Sequence, residues 1–423
     1  MQIKSGKHNN LAKLLKNMPM IAFVIVFLLA GANVLWTKPV VVSDTENFIN
    51  WAASISSKNF NIFAFSKEAL SDKELSSPTT AYLLVSFLIA VAKEVSPQYW
   101  DYLMAFLNVS AVAGTAALLL SLVRNLRLTS AVLSMSALAL FILPIDTWYW
   151  AKFIMTDSIY IFISFAAFYF LASYLESSLH QSRTVLAGAA LTFAFLAVFT
   201  RPVGPICLIV TLLGLVFGPR LASATKSGGF FFSTRIWLYI GLGVILATLA
   251  GFGMHSFAAF DPEIMRNTFF YKFFEAINRT YLQGTIVVGR PETFKSPPHY
   301  VIDFFNMTLL KYAAYFNFAP MSWSATHKFA EILFAALVFS LSLIGLVDAI
   351  YWRRSSFRVV LVLIIAATVH FSASVSAMTF VDFDYRYRLP ILSMCIVSAL
   401  FGIDALVIQY EARMKARHGY RVT

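Results

Sequence analysis

Residues 18–46 read MPMIAFVIVFLLAGANVLWTKPVVVSDTE. The stretch from Met18 to Trp36 carries no charge. About 20 apolar residues are what a helix needs to cross the hydrocarbon layer of a bilayer. An aromatic and a cation, Trp36 and Lys38, close the run as interfacial residues do. Ser43-Asp44-Thr45-Glu46 follows at once, and carboxylates this close to hydrocarbon are costly without a partner or a role. Upstream stand Lys4, Lys7, Lys13 and Lys16. The positive-inside bias therefore puts the N-terminus in the cytoplasm and Asp44 outside. Ala30-Gly31-Ala32 also resembles a signal-peptide cleavage site; the expectation adopted is an uncleaved anchor.

The same pattern recurs along the chain. At 59% hydrophobic and 13% charged residues, a soluble protein would expose far too much apolar surface. Apolar windows near 99–122, 129–145, 153–176, 185–200, 203–218, 235–257, 329–350, 358–378 and 389–410 join 18–36 as expected spans. Segment 79–95 is apolar but short and follows the break at Ser77-Pro78. If it crossed, Arg124, Arg127, Arg353, Arg354 and the C-terminal Arg413, Lys415, Arg417 and Arg421 would lie outside. Laid on the outer face, it leaves all of them inside. The expected fold is an all-α polytopic membrane protein, a bundle of about ten transmembrane helices with outer juxtamembrane helices. Its organisation is a transmembrane module over 1–257 with a first outer loop at 37–98, a large outer loop at 258–328, and helices plus a basic cytoplasmic tail over 329–423. The short pair 185–200 and 203–218 reads either as two thin spans or as a re-entrant feature. The net charge of +12 belongs to this sidedness and implies no nucleic acid. Cys207 and Cys395 lie inside apolar runs, as core residues with no disulfide or metal role.

Few residues remain to carry chemistry. Asp44 reads either as a helix N-cap or as a general base at a membrane-surface pocket. Glu46 could join it on a divalent cation, although two carboxylates alone are a weak ligand set; no metal site or other cofactor is assigned. Asp157 opens the 153–176 window, with Lys152 five residues before it as a candidate partner. Trp148, Tyr149 and Trp150 suit an interfacial belt better than a sugar platform. Arg201, between Thr200 and Pro202, either snorkels or binds phosphate through its planar fork of donors. Arg386 and Arg388 alternate with Tyr385 and Tyr387 ahead of Leu389-Pro390; they either balance Asp382 and Asp384 or add to a phosphate site. His299, in Pro297-Pro298-His299-Tyr300, is a structural residue before it is a catalytic one. Asn278-Arg279-Thr280 and Asn306-Met307-Thr308 match the glycosylation sequon, a pattern common by chance. There is no Walker loop, HExxH box or GxSxG elbow, which argues against ATP-driven transport, zinc proteolysis and serine hydrolysis. No internal repeat stands out, which weakens a repeat-built transporter.

In their order along the chain these patches resemble the GT-C glycosyltransferases, above all the lipid A aminoarabinose transferases and protein O-mannosyltransferases. The likeness covers about 20–220 and 380–410; the loop 258–328 has none. The resemblance implies that Asp44 is the catalytic acid of the first outer loop, that Ser77-Pro78 and the following helix form a second juxtamembrane element, and that Asp157 shapes the donor pocket. It implies that Arg201 stands where the aminoarabinose transferases carry a phosphate-contacting lysine, and that Arg386 and Arg388, with Tyr387, form the basic approach to a late helix. Lys152 belongs to the same donor region. The chain reads Asp-Thr-Glu where the mannosyltransferases carry an Asp-Glu pair, which leaves Glu46 without an assigned role. The expectation is thus an inverting membrane glycosyltransferase, moving a sugar from a polyprenyl-phosphate donor to an extracytoplasmic lipid, glycan or protein acceptor. The expected location is a bacterial inner membrane with the site facing the periplasm. An O-antigen polymerase or ligase, and a lipid-linked-sugar flippase or transporter, are the rival readings.

Overall fold

The computed structural model describes residues 5–65, 79–126, 128, 130–177, 180–226, 285–287, 290–295, 301–316, 324–351, 356–379, 382–383 and 385–419. Helix α1 (Ser5–Thr37) shows what kind of solvent the fold is built for. It buries Ala22, Val26, Ala30 and Val34, a stripe at i, i+4 spacing, and turns Met20, Val24, Leu28 and Leu35 outward. Both faces are apolar, small inside and large outside, the arrangement of a helix solvated by lipid. Helix α4 (Trp100–Asn125) packs against α1 and buries Ala105, Val109, Ala113 and Ala116 of its own. Among the described residues, seven helices are long and apolar enough to cross a bilayer. The chain is a helical integral-membrane protein.

The expected count of about ten spans is revised in particular places. Window 129–145 becomes α5 (Ala131–Ile142) and α6 (Ile145–Tyr149), with a 3-10 turn over Trp150–Lys152; the pair bends by 69° and brings the count to eight if taken as one span. The break falls at Pro144, which lacks the N–H a continuing helix needs. Window 153–176 becomes α7 (Asp157–Glu176). It starts late because Phe153 and Ile154 run extended beside Val40, whose N–H donates to Lys152 O at 2.9 Å and whose carbonyl accepts from Ile154 N at 3.0 Å. The short pair becomes two separate helices, α8 (His180–Val198) and α9 (Gly204–Lys226), packed on each other and on α7. The apolar part of α8, Ser182–Val198, falls short of a full span. Segment 79–95 is a 3-10 turn (Thr79–Tyr82) leading into α3 (Leu83–Val95), too short to cross. It packs on α2 (Ser43–Ser57) and α4. The expected span 235–257 lies outside the described residues.

One small sheet departs from the all-helical expectation. β1 (Thr285–Val287) pairs antiparallel with β2 (Arg290–Lys295) and parallel with β3 (Asp382–Phe383). It joins residues 285–295 to those just ahead of Arg388. α10 (Val301–Tyr315) follows, then three long helices: α11 (Ala325–Tyr351), α12 (Ser356–Thr379) and α13 (Leu389–Gly419).

α11 and α13 run parallel, with α12 as the return, and touch backbone to backbone. A Cβ on Gly402 would stand 1.9 Å from Leu341 O, and one on Gly345 would stand 2.8 Å from Gly402 N. Ser342 and Ser398 hydroxyls meet at 2.6 Å beside them. Small residues at such a crossing let helices close up where no hydrophobic effect drives them together. Arg358 and Asp404 pair at 2.7 Å, fixing the start of α12 against α13.

The other ends of these helices gather the polar patches. Thr45 on α2 donates to Ile154 O at 2.7 Å, Leu84 N donates to Phe199 O at 2.9 Å, and Tyr315 OH donates to Tyr387 O at 3.2 Å. The stretches around Asp44, Arg201 and Arg388 therefore lie at one end of the bundle.

Candidate functional site

The turn between α8 and α9 is built to bury an arginine. The amides of Phe199 and Thr200 donate to Leu196 O and Ala197 O at 3.1 Å each, and the Thr200 hydroxyl donates to Leu196 O at 2.8 Å. Pro202 then stops the helix. Gly204 N–H closes the turn onto Arg201 O at 2.8 Å, and a Cβ on Gly204 would stand 1.9 Å from Ala197 O, so only glycine fits. Arg201, 7% exposed, donates from Nη1 to Oδ1 of Asp157, which is 2% exposed and opens α7. A carboxylate is favoured at a helix N-terminus. The guanidinium also stands 5.6 Å from the ring centre of Tyr387. Burial opposes the Arg201 cation, but Asp157 together with Tyr82, Tyr387 and Tyr160 outweighs it and holds the group above the usual arginine range. Asp157 thus pairs with Arg201, not with Lys152 as its neighbour in sequence suggests. Lys152 is buried and lies 4.0 Å from the ring centre of Tyr149 and 5.4 Å from that of Phe153.

A second cluster forms around Arg388, the residue after Tyr387. Arg388 is 1% exposed and Glu331, on α11, is fully buried; Arg388 Nη2 and Glu331 Oε2 are 3.6 Å apart. Whether Asp382 and Asp384 also balance Arg388, as the sequence suggests, falls outside the described side chains. His327, one helical turn before Glu331, places Nε2 at 3.1 Å from Asp146 Oδ1 and 4.0 Å from Glu331 Oε1. Trp150 Nε1 donates to the same Asp146 oxygen at 3.2 Å. Arg388 also borders a small crevice whose other walls are Tyr315, Phe334, Val338, Ile391 and Leu392 among others.

Asp44 is exposed in the first turn of α2. It is not the N-cap. Val42 holds that position with an extended backbone, and Thr45, three residues on, accepts the Val42 N–H at 3.1 Å. This is the reciprocal half of a capping box, so the cap uses Thr45 and Asp44 keeps its carboxylate at the surface. Glu46 is exposed as well. The Arg386 backbone belongs to the 3-10 turn Tyr385–Arg388. The Arg386 side chain, His299 and Ser77-Pro78 lie outside what is described.

Two helix asparagines support the loop that carries Asp146. Asn33 Nδ2 donates to Tyr149 O at 3.3 Å and Asn108 Nδ2 to Phe153 O at 2.8 Å. On α10, Lys311 is fully buried, and burial lowers its pKa to about 8. Burial raises Tyr315 well above the usual phenol range, with Cys395 adding to the shift.

Asp146, His327 and Glu331 were missed from sequence. A usable signal existed: His327 and Glu331 are four residues apart, on one helical face, at the head of an otherwise apolar run. No family model, curated protein or solved structure matches this chain.

Proposed function

We propose that this chain is a membrane glycosyltransferase of the GT-C kind, transferring a sugar from a polyprenyl-phosphate donor to an acceptor at the end of the bundle where the charged patches meet. The observation that carries the reading is the placement of two buried arginines, Arg201 against the Tyr387 ring and Arg388 next to Tyr387 in the chain, at the same end as the exposed carboxylate of Asp44. Buried arginines in a lipid-facing bundle are costly and mark sites of function. Their donors suit phosphate oxygens, and they gain in strength as charge builds on a phosphate leaving group.

In the proposed reaction, Asp44 takes the proton of an acceptor hydroxyl or amine as the acceptor oxygen or nitrogen bonds to the anomeric carbon. The bond from that carbon to the phosphate oxygen breaks on the opposite face, so configuration inverts. The polyprenyl phosphate leaves as an anion, and the proton stays on Asp44 until solvent removes it. The basic loops and ends of the sequence support a reading with this end outside the cytoplasm, the periplasmic side of a bacterial inner membrane.

The test uses purified protein in lipid nanodiscs, radiolabelled polyprenyl-phosphate sugar and an acceptor fraction of envelope lipids and glycans. Asp44→Asn keeps the shape of the side chain and removes the base. It is expected to bind donor normally and to lose transfer by roughly 10²–10⁴-fold. Arg388→Ala is expected to lose donor binding itself. Turnover at the wild-type rate by Asp44→Asn, or unchanged donor binding by a folded Arg388→Ala protein, overturns the assignment.

A further inference from the structure

We infer that Asp146, His327 and Glu331 form a binding site for one divalent transition-metal ion, zinc by the chemistry of its donors. The inference does not depend on the glycosyltransferase reading. One imidazole nitrogen and two carboxylates come from two elements distant in sequence, α6 and α11, and the three donor atoms lie within 4.8 Å of one another. Around a single zinc ion, with bonds of about 2.0–2.2 Å, tetrahedral donors stand about 3.3 Å apart. The separation of 3.1 Å between His327 Nε2 and Asp146 Oδ1 and that of 4.0 Å between His327 Nε2 and Glu331 Oε1 bracket this value.

The second observation is Glu331 itself. It is fully buried, and neither carboxylate oxygen has a hydrogen-bond partner within normal geometry among the described residues. The Asp146 backbone amide acts on it, and the Arg388 guanidinium, 3.6 Å away, stands at ion-pair distance but beyond hydrogen-bond reach. A carboxylate taken out of water with both oxygens unsatisfied is what a metal ion would stabilise. Asp146 is aimed by Trp150, whose Nε1 donates to it at 3.2 Å, the outer support that metal-binding carboxylates require. The His327 side chain is 17% exposed, which leaves a route for the ion. Mixed nitrogen and carboxylate donors suit zinc better than magnesium or calcium, which prefer oxygen alone. Three protein ligands leave a fourth position for water or an oxygen of a bound anion.

The experiment uses full-length protein without a polyhistidine tag, stripped with chelator, repleted with zinc and washed. One zinc per chain is expected by mass spectrometry of the metal. His327→Ala and Glu331→Gln are each expected to lower zinc affinity at least 100-fold, whereas His370→Ala, at a histidine outside the cluster, keeps it. Cobalt(II) in place of zinc is expected to give the intense visible absorption of a tetrahedral site. No zinc uptake by the wild type, or uptake that both cluster variants retain, overturns the inference. Where a variant does not fold, the cobalt spectrum of the wild type decides: a weak octahedral spectrum overturns it.

Discussion

Replacing Arg201 by methionine separates what the buried ion pair does for the fold from what it does for a ligand. Arg201 and Asp157 are 7% and 2% exposed, and Asp157 Oδ2 has no hydrogen-bond partner among the described residues. Without the guanidinium, a carboxylate remains in the interior with only the N-terminus of α7 to offset it. Breaking a buried pair in this way costs about 3–5 kcal/mol. The lost contact with the Tyr387 ring, now at 5.6 Å, adds about 0.5–2 kcal/mol. Asp157→Leu alone strands the cation and is expected to cost as much. The double variant Arg201→Met/Asp157→Leu carries no stranded charge and is expected within about 2 kcal/mol of wild type, since apolar replacement of a buried pair is often neutral. The assay is tryptophan fluorescence through an SDS titration in mixed micelles, on wild type, both singles and the double. Single-variant losses that simply add in the double would refute the reasoning, because an intact pair demands strong coupling. The double variant then gives the functional answer. It is folded but lacks one of the two arginines, and weakened donor binding in it belongs to binding, not to stability.

Two further outcomes follow from other buried groups. Lys311 has its folded pKa lowered by burial to about 8 from 10.5, so between those values the unfolded chain holds more protons and stability rises with pH, by up to roughly 3 kcal/mol. Thermal midpoints at pH 7 and pH 10 should show the gain in wild type, and Lys311→Met should be more stable at pH 7 and lose this dependence; a midpoint that Lys311→Met lowers at pH 7 contradicts it. Gly402→Ala would put a Cβ 1.9 Å from Leu341 O and should cost about 1–3 kcal/mol by the same SDS titration, while an alanine at the exposed Ile408 should cost little.

The membrane class and the meeting of the polar patches could be read from sequence, because both rest on rules that act locally. Apolar length identifies a span such as Trp100–Asn125, and loop charge sets its direction. Each patch falls beside the end of an apolar run, so alternating direction alone carries Asp44, Arg201 and Arg388 to one end. What could not be read is who meets whom within that end. Asp157 is five residues from Lys152 and forty-four from Arg201, yet it pairs with Arg201, because the extended contact of Val40 with residues 152–154 sends the Lys152 side chain to Tyr149 instead. Arg388 stands beside Glu331, fifty-seven residues away in sequence.

The cause of that last pairing is remote from the charges. From Glu331 to Gly345 and from Arg388 to Gly402 the chain runs fourteen residues in each case, about 21 Å of helix. α11 and α13 are parallel and touch at Gly345 and Gly402. Equal rises from one backbone contact bring the two charges to the same height. Sequence shows two glycines and two charges at matching spacings. It does not show that α11 and α13 are neighbours with α12 returning outside their contact, and that adjacency alone turns matched spacings into a pair. The consequence extends to His327, one turn above Glu331, and so to Asp146. The crossing of two glycines, fourteen residues along each helix, sets the geometry of the cluster. In Gly402→Ala, zinc affinity should therefore fall along with stability, although no ligand has been touched.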